Sequence, residues 1–219
     1  MLKGIAMLRF FSFPVALLAP FGISGWLALL PSHSVAADTD VAEAAKVVEM
    51  VQGDADAVVT VIEYASFTCP HCASFHAGPY KQLKNNYIDT GKIKFVFREV
   101  YFDKVGVWSS LIARCGGPER FFGITDLIFK GQKDWSQAGG DVAVANALRK
   151  IGRLAGLDGE TLETCLTDSE HITALVGWYK DNAARDEIKS TPSLLVNGIN
   201  HGILSYDDLA AIIEEQLAQ

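Results

Sequence analysis

The segment Glu63-Tyr-Ala-Ser-Phe-Thr-Cys-Pro-His-Cys-Ala-Ser-Phe75 constrains this chain more than any other stretch. A β-branched run, Val58 to Ile62, passes through a short loop into Cys69-Pro70-His71-Cys72, after which Phe75, Tyr80 and Leu83 recur at helical spacing. A thiol placed where a strand hands over to a helix meets unsatisfied N–H groups and the positive end of the macrodipole, which favour its thiolate. Pro70 suits the first helical turn, where its missing N–H would have had no partner. Cys69 is therefore the candidate nucleophile and Cys72, one turn later, its resolving partner. His71 can supply positive charge or a hydrogen bond to the thiolate. Stabilising the thiolate stabilises the reduced pair and makes the disulfide more oxidising. A zinc half-site or an inert bridge is the alternative. Zinc needs a second close pair of ligands, and the other cysteines, Cys115 and Cys165, stand fifty residues apart.

The compartment follows from the start of the chain. Lys3 and Arg9 precede an apolar run from Phe10 to Leu30, and Ser34-Val35-Ala36-Ala37 offers small residues for cleavage. Residues 1–37 read as a signal peptide, with an uncleaved anchor as the competitor because the run is long for a signal core. Either places the body outside the cytoplasm, where disulfides persist. Without the leader's two cations the body is more acidic than the −7 of the whole chain. A nucleic-acid partner is excluded, since that affinity comes from Lys and Arg on phosphates. In an oxidising compartment Cys115 and Cys165, an even pair within one region, are expected to form a structural disulfide; reduced core cysteines are the alternative.

The body divides by pattern. Residues 38–102 hold a lead-in, a possible edge strand at Val47–Val51, the strand ending at Tyr64, a helix from Cys69 to about Tyr87 and a strand from Ile93 to Val100. Residues 103–188 are helical throughout. Trp108, Trp135, Trp178, Phe121, Phe122 and Phe129 there read as interhelix packing. Residues 189–219 return to Ser193–Val196, an Asn197-Gly198 hairpin turn, a partner strand and a last helix capped by Ser205. The order βαβ, helical block, ββα defines an α/β thioredoxin fold with an inserted helical subdomain.

Tyr64-Ala-Ser-Phe-Thr-Cys-Pro-His-Cys72, Thr191-Pro192 and the inserted helices together resemble the DsbA-like thiol:disulfide interchange proteins, over nearly all of the chain after the leader. The resemblance implies a periplasmic oxidase whose redox-active disulfide replaces any dissociable cofactor. It implies reduced, unfolded client proteins and a DsbB-like, quinone-linked membrane protein as reoxidant. It implies that Pro192 is cis, that it faces the cysteines, and that the Thr191 backbone pairs with an extended substrate. It also implies that Glu63, six residues before Cys69, is a buried proton relay, against the plain reading of a strand-end glutamate in water. Lys94 on the next strand is a candidate partner for it. His76 occupies a position that is acidic in the family's best-known member, so a proton route through that position is not expected. A client groove should lie near Phe67, Pro70 and Pro192, and His171 and His201 belong to the surface or to caps. Disulfide isomerases share the threonine before the proline, but carry an N-terminal dimerisation domain. The short lead-in before Val58 favours a monomeric oxidase.

Overall fold

The computed structural model describes residues 47–219, so the leader and the helix-preferring stretch Ala42–Lys46 lie outside the described residues. Strands β1 (Met50–Gly53), β2 (Val59–Ala65), β3 (Ile93–Glu99), β4 (Ser193–Val196) and β5 (Ile199–Gly202) form one mixed sheet in the order β1-β3-β2-β4-β5. The β2–β3 pair is parallel and the remaining pairs are antiparallel. The continuous apolar run thus sits at the centre, where both faces are covered. The edge strand starts at Met50 rather than Val47, because pairing sets its register and Met50 lies opposite Phe97.

Pleating sorts β2 into two faces. Val59, Val61 and Ala65 join the large core with Cys72, Phe75, Phe121, Ile124 and Leu209. Tyr64 and Ile62 point the other way, into a small cluster with Val100, Leu195, Tyr179 and Ile188. Glu63 shares the parity of Val61 and Ala65 and is fully buried on the core side.

The helix after the cysteines is not continuous to Tyr87. It breaks into α1 (Pro70–Ala77), α2 (Pro79–Leu83) and a π-helical turn, Lys84–Ile88. Pro79 removes an N–H and crowds the preceding turn, and Gly78 takes φ −129° and ψ −80° at the break. Between β3 and β4 come α3 (Lys104–Cys115), α4 (Pro118–Lys130), α5 (Gln132–Ser136), α6 (Gly140–Leu154), α7 (Gly159–Thr167) and α8 (Ser169–Arg185). A disulfide joins Cys115 at the end of α3 to Cys165 on α7, with Cα atoms 5.8 Å apart. Asn197 and Gly198 both take positive φ, 46° and 84°, as a tight hairpin turn requires. The chain closes with α9 (Tyr206–Leu217), whose N-cap Ser205 accepts from the Asp208 N–H. Among the described residues no helix is long and apolar enough to cross a membrane.

Candidate active site

Cys69 is the N-cap of α1 and Pro70 its first residue. The Cys69 N–H donates to the Ser66 carbonyl at 3.1 Å and its carbonyl accepts from Ala73 at 3.2 Å, so Cys69 sits on a closed turn. Pro70 and His71 are exposed beside it. Both thiols are free, but their environments differ. Cys69 is 9% exposed and Cys72 has no exposure. Burial pushes the Cys72 thiol far above its ordinary range, and the charges of Glu63 and Cys69 push the same way. Hydrogen bonds from Ser66 and the Thr191 side chain pull against this and lose. Both residues are buried, but Cys69 keeps a slight exposure while Cys72 has none and is held as a neutral thiol.

The far end of the chain supplies the opposite wall. The Cys69 Sγ–H donates to the Thr191 carbonyl at 3.5 Å, across 122 residues of sequence. The Thr191-Pro192 peptide bond is cis. Antiparallel pairing of β4 with β2, Ser193 opposite Tyr64, brings this loop to the start of α1.

Beneath the dithiol lies a buried polar pair. Cys72, Phe75 and His76 share one face of α1 at spacings of three and four residues, and all three are buried. His76 Nε2 lies 2.9 Å from Glu63 Oε2. The imidazole is flanked by Phe129 at 4.3 Å and Tyr80 at 4.4 Å between ring centroids. The other carboxylate oxygen, Oε1, is buried without a hydrogen-bond partner. Glu63 is thus not a solvent-facing strand end. Its partner is not Lys94 either. Lys94 aligns with Thr60 and Glu63 with Phe97, so three residues of pleat send the lysine to the opposite face. His76, a position set aside on sequence grounds, is the residue that bonds the carboxylate. Its signal was legible: seven residues are two helical turns, so His76 lies under Cys69.

Gln132, which sequence reading missed altogether, donates from α5 to the carbonyls of Phe67 at 2.7 Å and Cys69 at 2.9 Å. No local pattern marks a contact across more than sixty residues. Phe129 stacks near Phe67 at 5.1 Å, so the α4–α5 corner is a wall of the site rather than distant packing. An open pocket of about 430 Å³ runs along this seam, lined by Pro70, Ser74, His76, Lys81, Asp126 and Lys133 among others. Trp135 is buried with its indole N–H on the Ile128 carbonyl, whereas Trp178 packs against the Arg98 and Arg114 guanidinium groups.

Fold and dithiol together define a thioredoxin-like protein with a helical insertion. The chain belongs to the thioredoxin family, matching the group designated Thioredoxin_4 over residues 45–215. A Rickettsia bellii protein bearing the name protein-disulfide oxidoreductase is 34% identical over 176 residues, covering 78% of this chain. The chain spans 61–65% of the length of that protein and its Rickettsia counterparts. Crystalline alpha-DsbA1 of Wolbachia pipientis shares the fold with a TM-score of 0.71 at 24% identity, covering 78% of this chain and 91% of that one. Oxidised BdbD of Bacillus subtilis aligns with a TM-score of 0.68 at 25% identity, covering 78% and 94%. Those spans take in the helical block as well as the sheet, which upholds the DsbA-like resemblance.

Proposed function

We propose that this protein is an exported dithiol oxidase that introduces disulfides into reduced, unfolded client proteins. The observation that carries the reading is the asymmetry of the pair: Cys69 at a helix N-terminus beside the Thr191 carbonyl, and Cys72 fully buried behind it. A client thiolate attacks Cys69 Sγ of the oxidised pair. The Cys69–Cys72 bond breaks, and its electrons go to Cys72 Sγ, which takes a proton. A second client thiolate attacks the client sulfur of the mixed disulfide and expels Cys69 as thiolate. The client leaves oxidised and the protein reduced by two electrons.

Within this reading His71 and the first turn of α1 stabilise the Cys69 thiolate, and Pro70 keeps that turn free of a wasted donor. Thr191 offers its backbone to an extended client, and Pro192 shapes the loop. Glu63, whose charge acts on Cys72, exchanges the proton that the buried sulfur needs. Turnover calls for a DsbB-like quinone-linked membrane protein as reoxidant, with the protein acting as a periplasmic monomer and using no dissociable cofactor. The matching Rickettsia proteins, named for disulfide oxidoreduction, support the reaction class.

Equilibration with glutathione buffers, read by thiol alkylation and mass spectrometry, tests the direction of electron flow. A potential well above thioredoxin's, which is about −270 mV, is expected. A value close to thioredoxin's overturns the oxidase reading. Cys69→Ser should abolish mixed-disulfide capture, while Cys72→Ser should trap it; capture surviving in the Cys69 variant overturns the nucleophile assignment.

A further inference from the structure

The helices inserted between β3 and β4 far exceed what a five-stranded sheet needs for cover, and their only polar reach into the turn that carries Cys69, among the described residues, is a single amide. Gln132 is 7% exposed and spends its Nε2 on two carbonyls, those of Phe67 and Cys69. The two acceptors bracket the handover from β2 to α1. Phe67 is the last loop residue packed in the core, and Cys69 is the N-cap whose carbonyl opens the helix. The same corner of the helical block adds Phe129 against Phe67. The amide is itself fixed from behind: the Gly131 N–H closes α4 on the Leu127 carbonyl at 3.0 Å, and Trp135 anchors α5 to the Ile128 carbonyl at 2.8 Å.

We propose that Gln132 is a positioning residue for the nucleophile, through which the helical block holds the Phe67–Cys69 turn, and with it the place of the Cys69 sulfur at the start of α1 and against the Thr191 carbonyl. The proposal rests on Cys69 being the nucleophile. The chemistry of the side chain fits the task. A glutamine donates two hydrogens while adding no charge within reach of a thiolate, whereas a lysine or arginine would pair with the thiolate and a carboxylate would repel both carbonyls. Thiolate stabilisation at a helix start falls off within one turn, so it depends closely on how the N-cap is held. A loosened turn keeps the thiol at the helix start but shifts it relative to the N-terminal end of α1 and to the Thr191 carbonyl.

The test compares wild type with Gln132→Ala and Gln132→Glu in the full chain, using two readouts. One is the titration of the Cys69 thiolate by absorbance at 240 nm. The other is the rate at which the oxidised protein reacts with a reduced cysteine peptide. Gln132→Ala should shift the thiolate titration upward and slow exchange by about 10-fold to 100-fold, the range expected when a reacting group is misplaced by about an ångström. Gln132→Glu should be slower still at neutral pH. Relative to wild type at the same pH, it should recover as the solution is acidified and the new carboxyl regains a proton to donate. A variant that melts earlier but keeps the wild-type titration and rate overturns the proposal, as does a Glu variant whose deficit is independent of pH. If neither variant folds, the Gln132 side-chain amide resonances of wild type decide: a shift between dithiol and disulfide states supports the role, and identical shifts overturn it. Wild type that fails to react with the peptide at all would instead sink the dithiol function itself.

Discussion

Two glutamates on the same face of the sheet are buried in opposite ways. Glu99, at the end of β3, meets Arg114 of α3 in a two-pronged contact, Nε to Oε1 and Nη2 to Oε2 both at 2.6 Å. Ser110 donates to Oε1 as well, and the third arginine nitrogen reaches the Val48 carbonyl at 2.8 Å. Burial works against the Arg114 charge, but Glu99 outweighs it and holds the guanidinium pKa above its ordinary value. Glu63, two strand positions before Ala65, which pairs with Glu99, has one bond to a histidine and one oxygen with no partner. The first pair fastens β3 and the segment leading into β1 to the helical block with both carboxylate oxygens engaged. The second, beside Cys72, is incomplete. The carboxylate that fastens the fold has both oxygens bonded, whereas the one beside the dithiol, for which we propose a proton-exchange role, leaves one oxygen without a partner.

The comparison is most easily broken at the arginine. Arg114→Leu leaves Glu99 charged and unpaired in the core and should cost about 3–5 kcal/mol, read by urea unfolding, while per-molecule exchange of the dithiol stays close to wild type at temperatures where the variant is folded. A loss below 1 kcal/mol would show that the two pairs are not different in kind. His76→Leu should cost less, about 1–3 kcal/mol for a polar group stripped of its only partner, and should also slow peptide oxidation. Unchanged exchange would reduce the histidine to packing. The smallest stability effect belongs to Glu63→Gln, which keeps the size of the side chain and a partner for His76. Its unfolding free energy should stay within about 1 kcal/mol of wild type, yet its exchange with a client peptide should slow by about 100-fold or more. A variant that is unstable but fully active would reverse the roles assigned to Glu63 and Glu99.

Local chemistry made the dithiol readable. The strand before Cys69, the proline after it and the helical repeat beyond are near neighbours in sequence, and each has a conformational preference that needs no distant partner. The hairpin at Asn197-Gly198 and the cap at Ser205 were readable for the same reason. The break at Gly78-Pro79 carried an equally local signal, and the apolar repeat through Tyr80, Leu83 and Tyr87 masked it. Lys94 against His76 shows where local reading stops. Strand adjacency makes a lysine on the next strand a natural partner for Glu63, but only the register of β2 on β3 reveals which face it takes.

By itself, the sequence determined the fold class, the placing of Cys69 and Cys72 where a strand hands over to a helix, and the return of Thr191-Pro192 ahead of a core strand. All of these rest on periodicity, capping and short-range backbone geometry. The tertiary structure decided which groups stand around those cysteines: His76 under Glu63, the Thr191 carbonyl on Cys69, and Gln132 clasping the turn. A hydrogen bond needs two groups within about 3 Å at a suitable angle. Residues separated by dozens of positions reach that geometry only after the sheet register and the helix packing have been fixed.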